Sequence, residues 1–277
     1  MNHESAKNWR ELIIVTALTV FLGVSGAYAA TPSADAHMAA ARAELAPTGK
    51  LRIAFPLPNA LIVNKDAASG ELRGMVIEVG RALAAHLGVP FEPVGYVNIA
   101  KMMDSVNAGE WDIAMVAIDP ARAKVFDFTA PFMVVDSTYL VHGNSSIMSS
   151  IDVDQPGVRV AVPVKSGQDL YFARHPFKHA ELLRRVGAPA TIALLKSGEA
   201  DAFAENRVVL LKFSKQLPGS RVLEDHFDDL QMALAVPKGH PAGLDYMREF
   251  VRQAIASGQI QEWIQHVGLT GVRVVAP

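Results

Sequence analysis

Two charged residues that could bind a ligand follow an apolar run in the segment AIDPARAKVFDFTAPF. Asp119 stands directly before Pro120, and Arg122 lies three residues after Asp119. Aspartate is a favourable helix N-cap and proline suits the first helical position, so a helix is expected to begin here. A cation in the first turn opposes the helix dipole, whereas a guanidinium can grip a carboxylate with two hydrogen bonds. We therefore predict that Arg122 binds a ligand carboxylate; pairing with a neighbouring acid is the alternative.

A second candidate site for an anion lies in the segment VKSGQDL. The amides of Ser166, Gly167 and Gln168 could form an anion-binding nest at a helix start. Lys165 would add a cation there, unless its side chain points to solvent. Phe55, at the end of a strand, and Asn59, in the loop that follows, are candidates for apolar and hydrogen-bonding contacts with a small polar ligand. For Phe55, a place in the core is the alternative.

Motifs for other kinds of chemistry are missing from the sequence. It contains no HExxH, no phosphate-binding P-loop, no GxGxxG and no Gly-x-Ser-x-Gly elbow. His175 and His179 are four residues apart, but Pro176 interrupts the helix that would align them on a metal ion. We therefore expect no metal and no cofactor.

Composition narrows the class of protein further. The chain has 277 residues, of which half are apolar, and a formal net charge of -2. It is long enough for one or two domains with a sizeable core, and its mixed charges predict no nucleic-acid partner. It has no cysteine, so neither disulfides nor thiol chemistry contribute.

The N-terminus has the pattern of an export signal. Lys7 and Arg10 precede the apolar run LIIVTALTVFLGV at residues 12–24, and the small-x-small site AYA ends at Ala29. The apolar run falls short of the ~20 residues that a spanning helix needs, although an uncleaved anchor is the alternative. We expect residues 1–29 to be a signal peptide, residues 30–49 to be a tether or a short helix, and the mature protein to be periplasmic.

From Lys50 onwards, apolar strands alternate with amphipathic helices. LRIAF, PFEPVGY and DIAMVAI read as strands, whereas MVIEVGRALAAHLG has apolar residues at helical spacing and ends on Gly88. A further helix is expected between the N-cap Asn98 and Gly109. This alternation predicts an α/β domain with parallel strands.

A similar unit recurs about ninety residues later. VNAGEWDIAM and LKSGEADAFA each combine a helix end, Gly-Glu, one residue, Asp and an apolar strand. The spacing is too long for a solenoid repeat, so it predicts two similar α/β lobes. Chance similarity is the alternative, because junctions of this kind are common.

These segments together resemble family 3 of the extracellular solute-binding proteins, the type II periplasmic binding proteins of ABC importers. The resemblance covers residues 50–267, and its most specific part runs from Arg122 to Phe132. It implies two α/β lobes joined by two crossover hinge strands, near residues 137–142 and 232–237, with a ligand in the cleft between the lobes. Lobe one would comprise residues 50–143 and 237–277, and lobe two residues 144–236.

The resemblance also assigns roles to individual residues and shows two departures. Asp119 stands where amino-acid binders of the family usually carry threonine, so it either caps its helix or places a negative charge beside the carboxylate site. Ser166 matches the threonine of a Gly-Thr pair, with Lys165 in place of the glycine. Glu205 stands where the family has the aspartate that holds an ammonium group. Ala117, at the end of the strand before Asp119, completes the predicted ligand-binding set.

The resulting reading is a periplasmic, monomeric solute-binding protein that captures a small polar solute and delivers it to an inner-membrane ABC permease, without catalysis. Two alternatives stay open. One is an enzyme on the same fold, similar to cyclohexadienyl dehydratases, with Glu205 as general acid. The other is a sensory or scaffold role without a ligand.

Overall fold

The computed structural model describes residues 34–57, 61–65 and 70–275, without the side chains of residues 64 and 65. The predicted signal peptide and Asn59 lie outside these ranges. Within the described part of the chain, no helix is both long and apolar enough to cross a membrane.

The described chain alternates between helices and strands, as the sequence predicts. The helices are α1 (Ala34–Leu45), α2 (Met75–Leu87), α3 (Ile99–Asp104), α4 (Gly167–Arg174), α5 (Ala188–Ser197), α6 (Arg207–Ser214), α7 (Pro241–Ala256) and α8 (Gln259–His266). The strands are β1 (Leu51–Pro56), β2 (Asn64–Lys65), β3 (Leu72–Arg73), β4 (Phe91–Tyr96), β5 (Ile113–Ala117), β6 (Phe126–Phe128), β7 (Met133–His142), β8 (Arg159–Pro163), β9 (Glu181–Arg185), β10 (Ala202–Asn206), β11 (Ser220–Val222), β12 (Asp228–Pro237) and β13 (Val272–Val274). Short 3₁₀ helices span Arg122–Lys124 and Ser150–Asp152.

The main sheet contains the same three-stranded arrangement twice. Its order is β4-β1-β5-β12-β7-β10-β8-β9. In lobe one β1 lies between its parallel partners β4 and β5, and in lobe two β8 lies between its parallel partners β9 and β10. Helices cover these strands on both faces, which explains why β5 and β10 are buried at every position. The α/β fold with two lobes, predicted from the sequence, is thereby confirmed.

The repeated Gly-Glu-x-Asp motif closes each lobe with an equivalent arginine clamp. In lobe one Arg52 donates through Nε and Nη2 to Asp112, at 3.1 and 2.7 Å. In lobe two Arg159 makes the same two contacts with Asp201, at 3.1 and 3.0 Å. Each arginine also donates its backbone N–H to the same carboxylate and a guanidinium N–H to the carbonyl of a turn glycine. The sequence repeat is therefore also a structural repeat, in which an arginine of β1 or β8 binds the aspartate that precedes the neighbouring strand β5 or β10.

The two clamps differ in burial, and this difference predicts unequal effects of matched substitutions. The side chains of Arg52 and Asp112 are 15% and 3% exposed, whereas those of Arg159 and Asp201 are both 37% exposed. Asp112→Asn is expected to lower the free energy of unfolding by about 2 kcal/mol, because charged hydrogen bonds are lost in a buried place. Asp201→Asn is expected to cost about 1 kcal/mol or less, because water screens the pair. Urea denaturation of both variants measures the difference, and an equal cost would contradict it.

Two long antiparallel strands connect the lobes. The first half of β7 pairs with β12, and its second half pairs with β10 and β11 of lobe two. The first half of β12 pairs with β7, and its second half pairs with β5 and β6 of lobe one. The two strands thus pair with each other in their first halves, and their second halves pair with strands of opposite lobes. The predicted crossover segments, residues 137–142 and 232–237, lie inside β7 and β12.

One helix lies in the segment interpreted as a tether or a short helix, and another helix ends earlier than predicted. Residues 34–45 of that segment form α1, whose Leu45 is buried in the core and whose Glu44 accepts a hydrogen bond of 2.7 Å from the backbone N–H of Gly243. The helix expected to reach Gly109 ends at Asp104. Ser105 explains the early end, because its hydroxyl donates to Met102 O and accepts from the indole N–H of Trp111, at 2.9 Å each.

Candidate ligand-binding site

A cleft lies between the lobes at the carboxyl ends of the parallel strands. The residues that end β1, β5, β8 and β10, namely Pro56, Ala117, Pro163 and Asn206, all line it. Its empty volume is about 720 Å³, including the open mouth. Strand ends of an α/β sheet are where ligands commonly bind, because helix N-termini and loops converge there.

Arg122 reaches from lobe one into this cleft and bridges the two lobes. It begins the 3₁₀ helix after β5, and its guanidinium donates to Ala117 O at 3.0 Å and, across the cleft, to Lys165 O at 3.1 Å. The residue is only 5% exposed, and its Nε is buried without a hydrogen-bond partner among the described residues. Burial lowers the pKa of Arg122 to about 10, although Asp119 and Glu205 act in the opposite direction. The guanidinium therefore stays charged at neutral pH and has a donor to spare.

The structure gives Asp119 an internal partner. Its Oδ1 accepts 2.7 Å from the backbone N–H of Ala121, which is the predicted capping role, although the helix that follows is only the short 3₁₀ turn. Its Oδ2 forms an ion pair with Arg174 of α4 in the opposite lobe. Asp119 and Arg174 line a smaller pocket beside the cleft rather than the cleft itself. The expected surplus negative charge beside the ligand carboxylate is therefore neutralised by a residue that the sequence analysis missed.

The segment VKSGQDL places its residues differently from the predicted nest. Ser166 caps α4 by accepting from Asp169 N at 3.1 Å, while its own amide donates to Pro163 O, so that amide does not serve an anion. Gly167 lines the cleft, and an added Cβ would lie 2.6 Å from a methyl carbon of Leu230. Lys165 does not line it: its Nζ pairs with Asp104 of lobe one, and its backbone has a left-handed φ of 61°.

Glu205 faces the cleft from lobe two as a buried acid. Its Oε1 accepts from the backbone and side-chain N–H groups of Asn206, both at 2.9 Å. All hydrogen bonds that described residues make to this carboxylate reach Oε1, so Oε2 is the oxygen available to a ligand. Burial raises the pKa of Glu205 to about 7, against the lowering effects of Asn206 and Arg122. Glu205 is therefore poised between its neutral and its ionised form.

The side chain of Gln168 supports Glu205, a role that the sequence analysis missed. It is fully buried, and with its amide oriented to satisfy both ends it donates to Glu205 Oε1 at 3.1 Å and accepts from Asn206 N and Ser137 Oγ, at 3.1 and 2.9 Å. Asn206 was also missed, although an asparagine directly before RVVLLKFS signals a helix N-cap, and it does cap α6. Through Gln168, these contacts link the Glu205 carboxylate on β10 to Ser137 of the hinge strand β7.

The predicted aromatic wall is not where the sequence placed it. Phe55 is 1% exposed and packs inside the core of lobe one rather than lining the cleft. Successive side chains of a strand point to opposite faces of the sheet, and only the structure shows which of them face the core. Aliphatic residues form the walls instead, including Leu57, Ile62, Val97 and Ile99.

Potential metal ligands come together at one place in the described chain. Ligand atoms of Asp136, His226 and Asp229 lie within 4.8 Å of one another near the hinge. Arg273 pairs with both aspartates, and Arg207 also pairs with Asp136. The group is therefore an ion-pair network that fastens β13 and α6 to the hinge strands.

The comparisons with known proteins agree with this geometry. Residues 58–268 match the bacterial extracellular solute-binding proteins, family 3. The chain belongs to this family, which confirms the resemblance found in the sequence.

Individual relatives are more distant. The chain is 25% identical over 70% of its length to a probable amino-acid ABC transporter-binding protein of Haemophilus influenzae, covering 75% of that protein. It is 24% identical over 65% of its length to a glutamine-binding protein of Geobacillus stearothermophilus, covering 69% of it. Its fold is similar to that of a Streptococcus pneumoniae amino-acid ABC transporter substrate-binding protein bound to L-arginine, with a TM-score of 0.70, 24% identity, and 80% and 96% of the two chains covered.

Proposed function

We propose that the protein is the periplasmic substrate-binding component of an ABC importer and that it captures an α-amino acid for an inner-membrane permease. The observation that carries this proposal is the placement of one cation and one anion in the same cleft, Arg122 from lobe one and Glu205 from lobe two. A carboxylate oxygen brought to Nε of Arg122 would satisfy its unpartnered donor. An ammonium group would bind Oε2 of Glu205. The names of the relatives support the same class of solute.

This arrangement couples binding to closure of the lobes. A ligand stabilises the closed state only if it contacts both lobes, and a zwitterion between Arg122 and Glu205 does so. Three contacts already bridge the lobes: Arg122 with Lys165 O, Arg174 with Asp119, and Lys165 with Asp104. The predicted signal peptide and the family support export to the periplasm, where a monomer would meet its permease.

Calorimetric titration with the common α-amino acids tests the proposal. The protein is first freed of any co-purified solute by unfolding and refolding, and that solute is identified by mass spectrometry. Saturable binding of an amino acid, with the corresponding amine and carboxylate each binding more weakly, is the expected result. Binding of no amino acid would reject the proposal.

The affinity is expected to rise with pH. Because Glu205 has a pKa of about 7, it is mostly protonated at pH 6, and an ammonium ligand must then displace its proton. One pH unit below the pKa this costs about 1.4 kcal/mol, so the dissociation constant should be roughly tenfold lower at pH 8 than at pH 6. Titrations at both values measure the change, and Glu205→Gln is expected to remove it. Tighter binding at pH 6 would contradict the role of Glu205.

A lyase similar to cyclohexadienyl dehydratases is the second candidate function, favoured by one observation. A buried carboxylic acid with a pKa of about 7 can act as a general acid. A similar fold is found in an ancestral amino-acid-binding protein described as a precursor of cyclohexadienyl dehydratase, with a TM-score of 0.69 and 24% identity. Incubation of the protein with prephenate separates the two functions, and we expect no turnover.

A further inference from the structure

The charged groups of the cleft are few, and the proposed zwitterion uses both. Of the described residues that line the cleft, Arg122 and Glu205 are the charged ones. Lys165, Asp119 and Arg174 pair with residues of the opposite lobe and do not line it. Within the described lining, an ionised ligand side chain would therefore find no partner of opposite charge.

The neutral polar side chains that line the cleft already make hydrogen bonds within the protein. Asn98, Ser166 and Asn206 each cap a helix, by accepting from the backbone N–H of the residue three positions further on. The amide of Gln168 is bonded to Ser137 in one orientation, and to Ser137, Glu205 and Asn206 in the other. A ligand side chain that donates a hydrogen bond would have to compete with backbone N–H groups for the capping oxygens, and an unpaired polar group in a desolvated site is costly.

The remaining lining is aliphatic and continues to the mouth of the cleft. Lobe one contributes Leu57, Ile62, Val97 and Ile99, and lobe two contributes Pro189 on the opposite side. Val97 is 74% exposed, although large apolar side chains are usually more buried. Val186, next to the lining residue Gly187, is 59% exposed on the facing lobe. Exposed apolar surface around a cleft marks a place where an apolar ligand group can bind and cover that surface.

We propose that the ligand is an α-amino acid with a bulky apolar side chain, aromatic or branched aliphatic, rather than a cationic or amide side chain. This inference rests on the proposed function, because the zwitterion must use Arg122 and Glu205. The aliphatic walls then receive the side chain, and its burial contributes affinity in proportion to the apolar area removed from water. The ligands named for the relatives, glutamine and L-arginine, differ from this class.

A competitive panel tests the side-chain class. Phenylalanine, leucine, glutamine and arginine are titrated at pH 8 into the refolded, ligand-free protein. Phenylalanine or leucine is expected to bind at least tenfold more tightly than glutamine or arginine. Equal or tighter binding of glutamine or arginine would overturn the apolar class and leave the proposed function standing. Binding of none of the four, nor of any other amino acid, would reject the proposed function and the apolar class together.

A matched pair of variants links the preference to the walls of the cleft. Val97→Asp places a carboxylate on an exposed lining position, where folding should tolerate it. The substitution is expected to weaken the binding of phenylalanine or leucine at least fivefold and to strengthen the binding of arginine. Ile151→Asp makes a comparable change at a residue that is 81% exposed and does not line the cleft, and should leave all affinities unchanged. Unchanged selectivity in Val97→Asp, or an equal change in both variants, would count against the proposal.

Discussion

Arg122→Ala is expected to weaken amino-acid binding by about 30- to 5,000-fold. The guanidinium is nearly completely buried, and its Nε–H has no hydrogen-bond partner in the part of the chain that the structure describes. Truncating one partner of a buried, hydrogen-bonded charge pair costs about 2–5 kcal/mol, which corresponds to this range of dissociation constants. Part of the loss would come from closure, because Arg122 also donates to Lys165 O in the opposite lobe. Calorimetry on the ligand identified for the unaltered protein measures the effect.

Two further variants separate recognition from general effects of charge. Arg122→Lys keeps the cation but loses the planar fork, so its affinity should fall between those of the unaltered protein and Arg122→Ala. Arg252→Ala removes an arginine that pairs with Glu249 on the surface of α7, and should bind normally. Circular dichroism and thermal unfolding establish that the Arg122 variants fold. An unchanged dissociation constant in folded Arg122→Ala would refute the assignment of this residue to the ligand.

Glu205→Gln is expected to change binding and stability in opposite directions. For binding, the substitution removes the anion that holds the ligand ammonium, and at pH 8 we expect a loss of about 2–5 kcal/mol, comparable to that of Arg122→Ala. A ligand analogue without an amino group should be affected far less. Calorimetry at pH 8 with both ligands measures the difference.

For stability, the direction follows from the raised pKa of Glu205. The folded protein holds the proton more tightly than the unfolded chain, so this group's contribution is favourable below pH 4.5 and is lost as the pH rises through about 7. A rise of the pKa from 4.5 to about 7 corresponds to about 3 kcal/mol lost at pH 8. Glutamine avoids this cost, so the ligand-free variant should be more stable than the unaltered protein at pH 8 by up to about 3 kcal/mol, and by much less at pH 5.

Urea denaturation at pH 5 and pH 8 follows this change. Glu199→Gln is the matched control, because Glu199 is an exposed residue of the Gly-Glu-x-Asp turn that precedes β10, the strand of Glu205. Its substitution should alter neither binding nor the pH dependence. A Glu205→Gln variant that loses stability at pH 8 would show that the carboxylate is stabilising where it lies. That result would contradict both the raised pKa and the pH dependence predicted for binding.

The cross-cleft ion pair of Asp119 changes how this cleft recognises a ligand. A negative charge at that position, taken alone, repels a carboxylate bound to Arg122. Arg174 cancels it from the other lobe, and the pair can form only when the lobes approach each other. Asp119 is therefore paired within the protein, across the cleft, whereas Arg122 and Glu205 are the residues that we propose to bind the ligand.

The sequence alone determined the class of fold and the position of the cleft. Alternating strand and helix patterns predicted two α/β lobes, and the repeated Gly-Glu-x-Asp motif identified the equivalent turn in each, since Arg52–Asp112 and Arg159–Asp201 form the same clamp. Arg122 was a candidate because it lies in the helix start that follows a buried strand, and Glu205 was a candidate because it stands where the family that the sequence resembles has an aspartate. Such local signals persist in sequence because a strand, a cap or a turn depends on neighbours along the chain.

Only the tertiary structure decided which groups remain available to a ligand. Asp119 and Lys165 looked equally suited to the cleft, yet each is paired with a residue more than fifty positions away, Arg174 and Asp104. Phe55 lies next to the end of β1, as expected, but its side chain packs in the core, while Leu57 and Val97 line the cleft. Charge pairing and side-chain direction depend on which surfaces the fold brings together. No spacing within a single segment can therefore predict them.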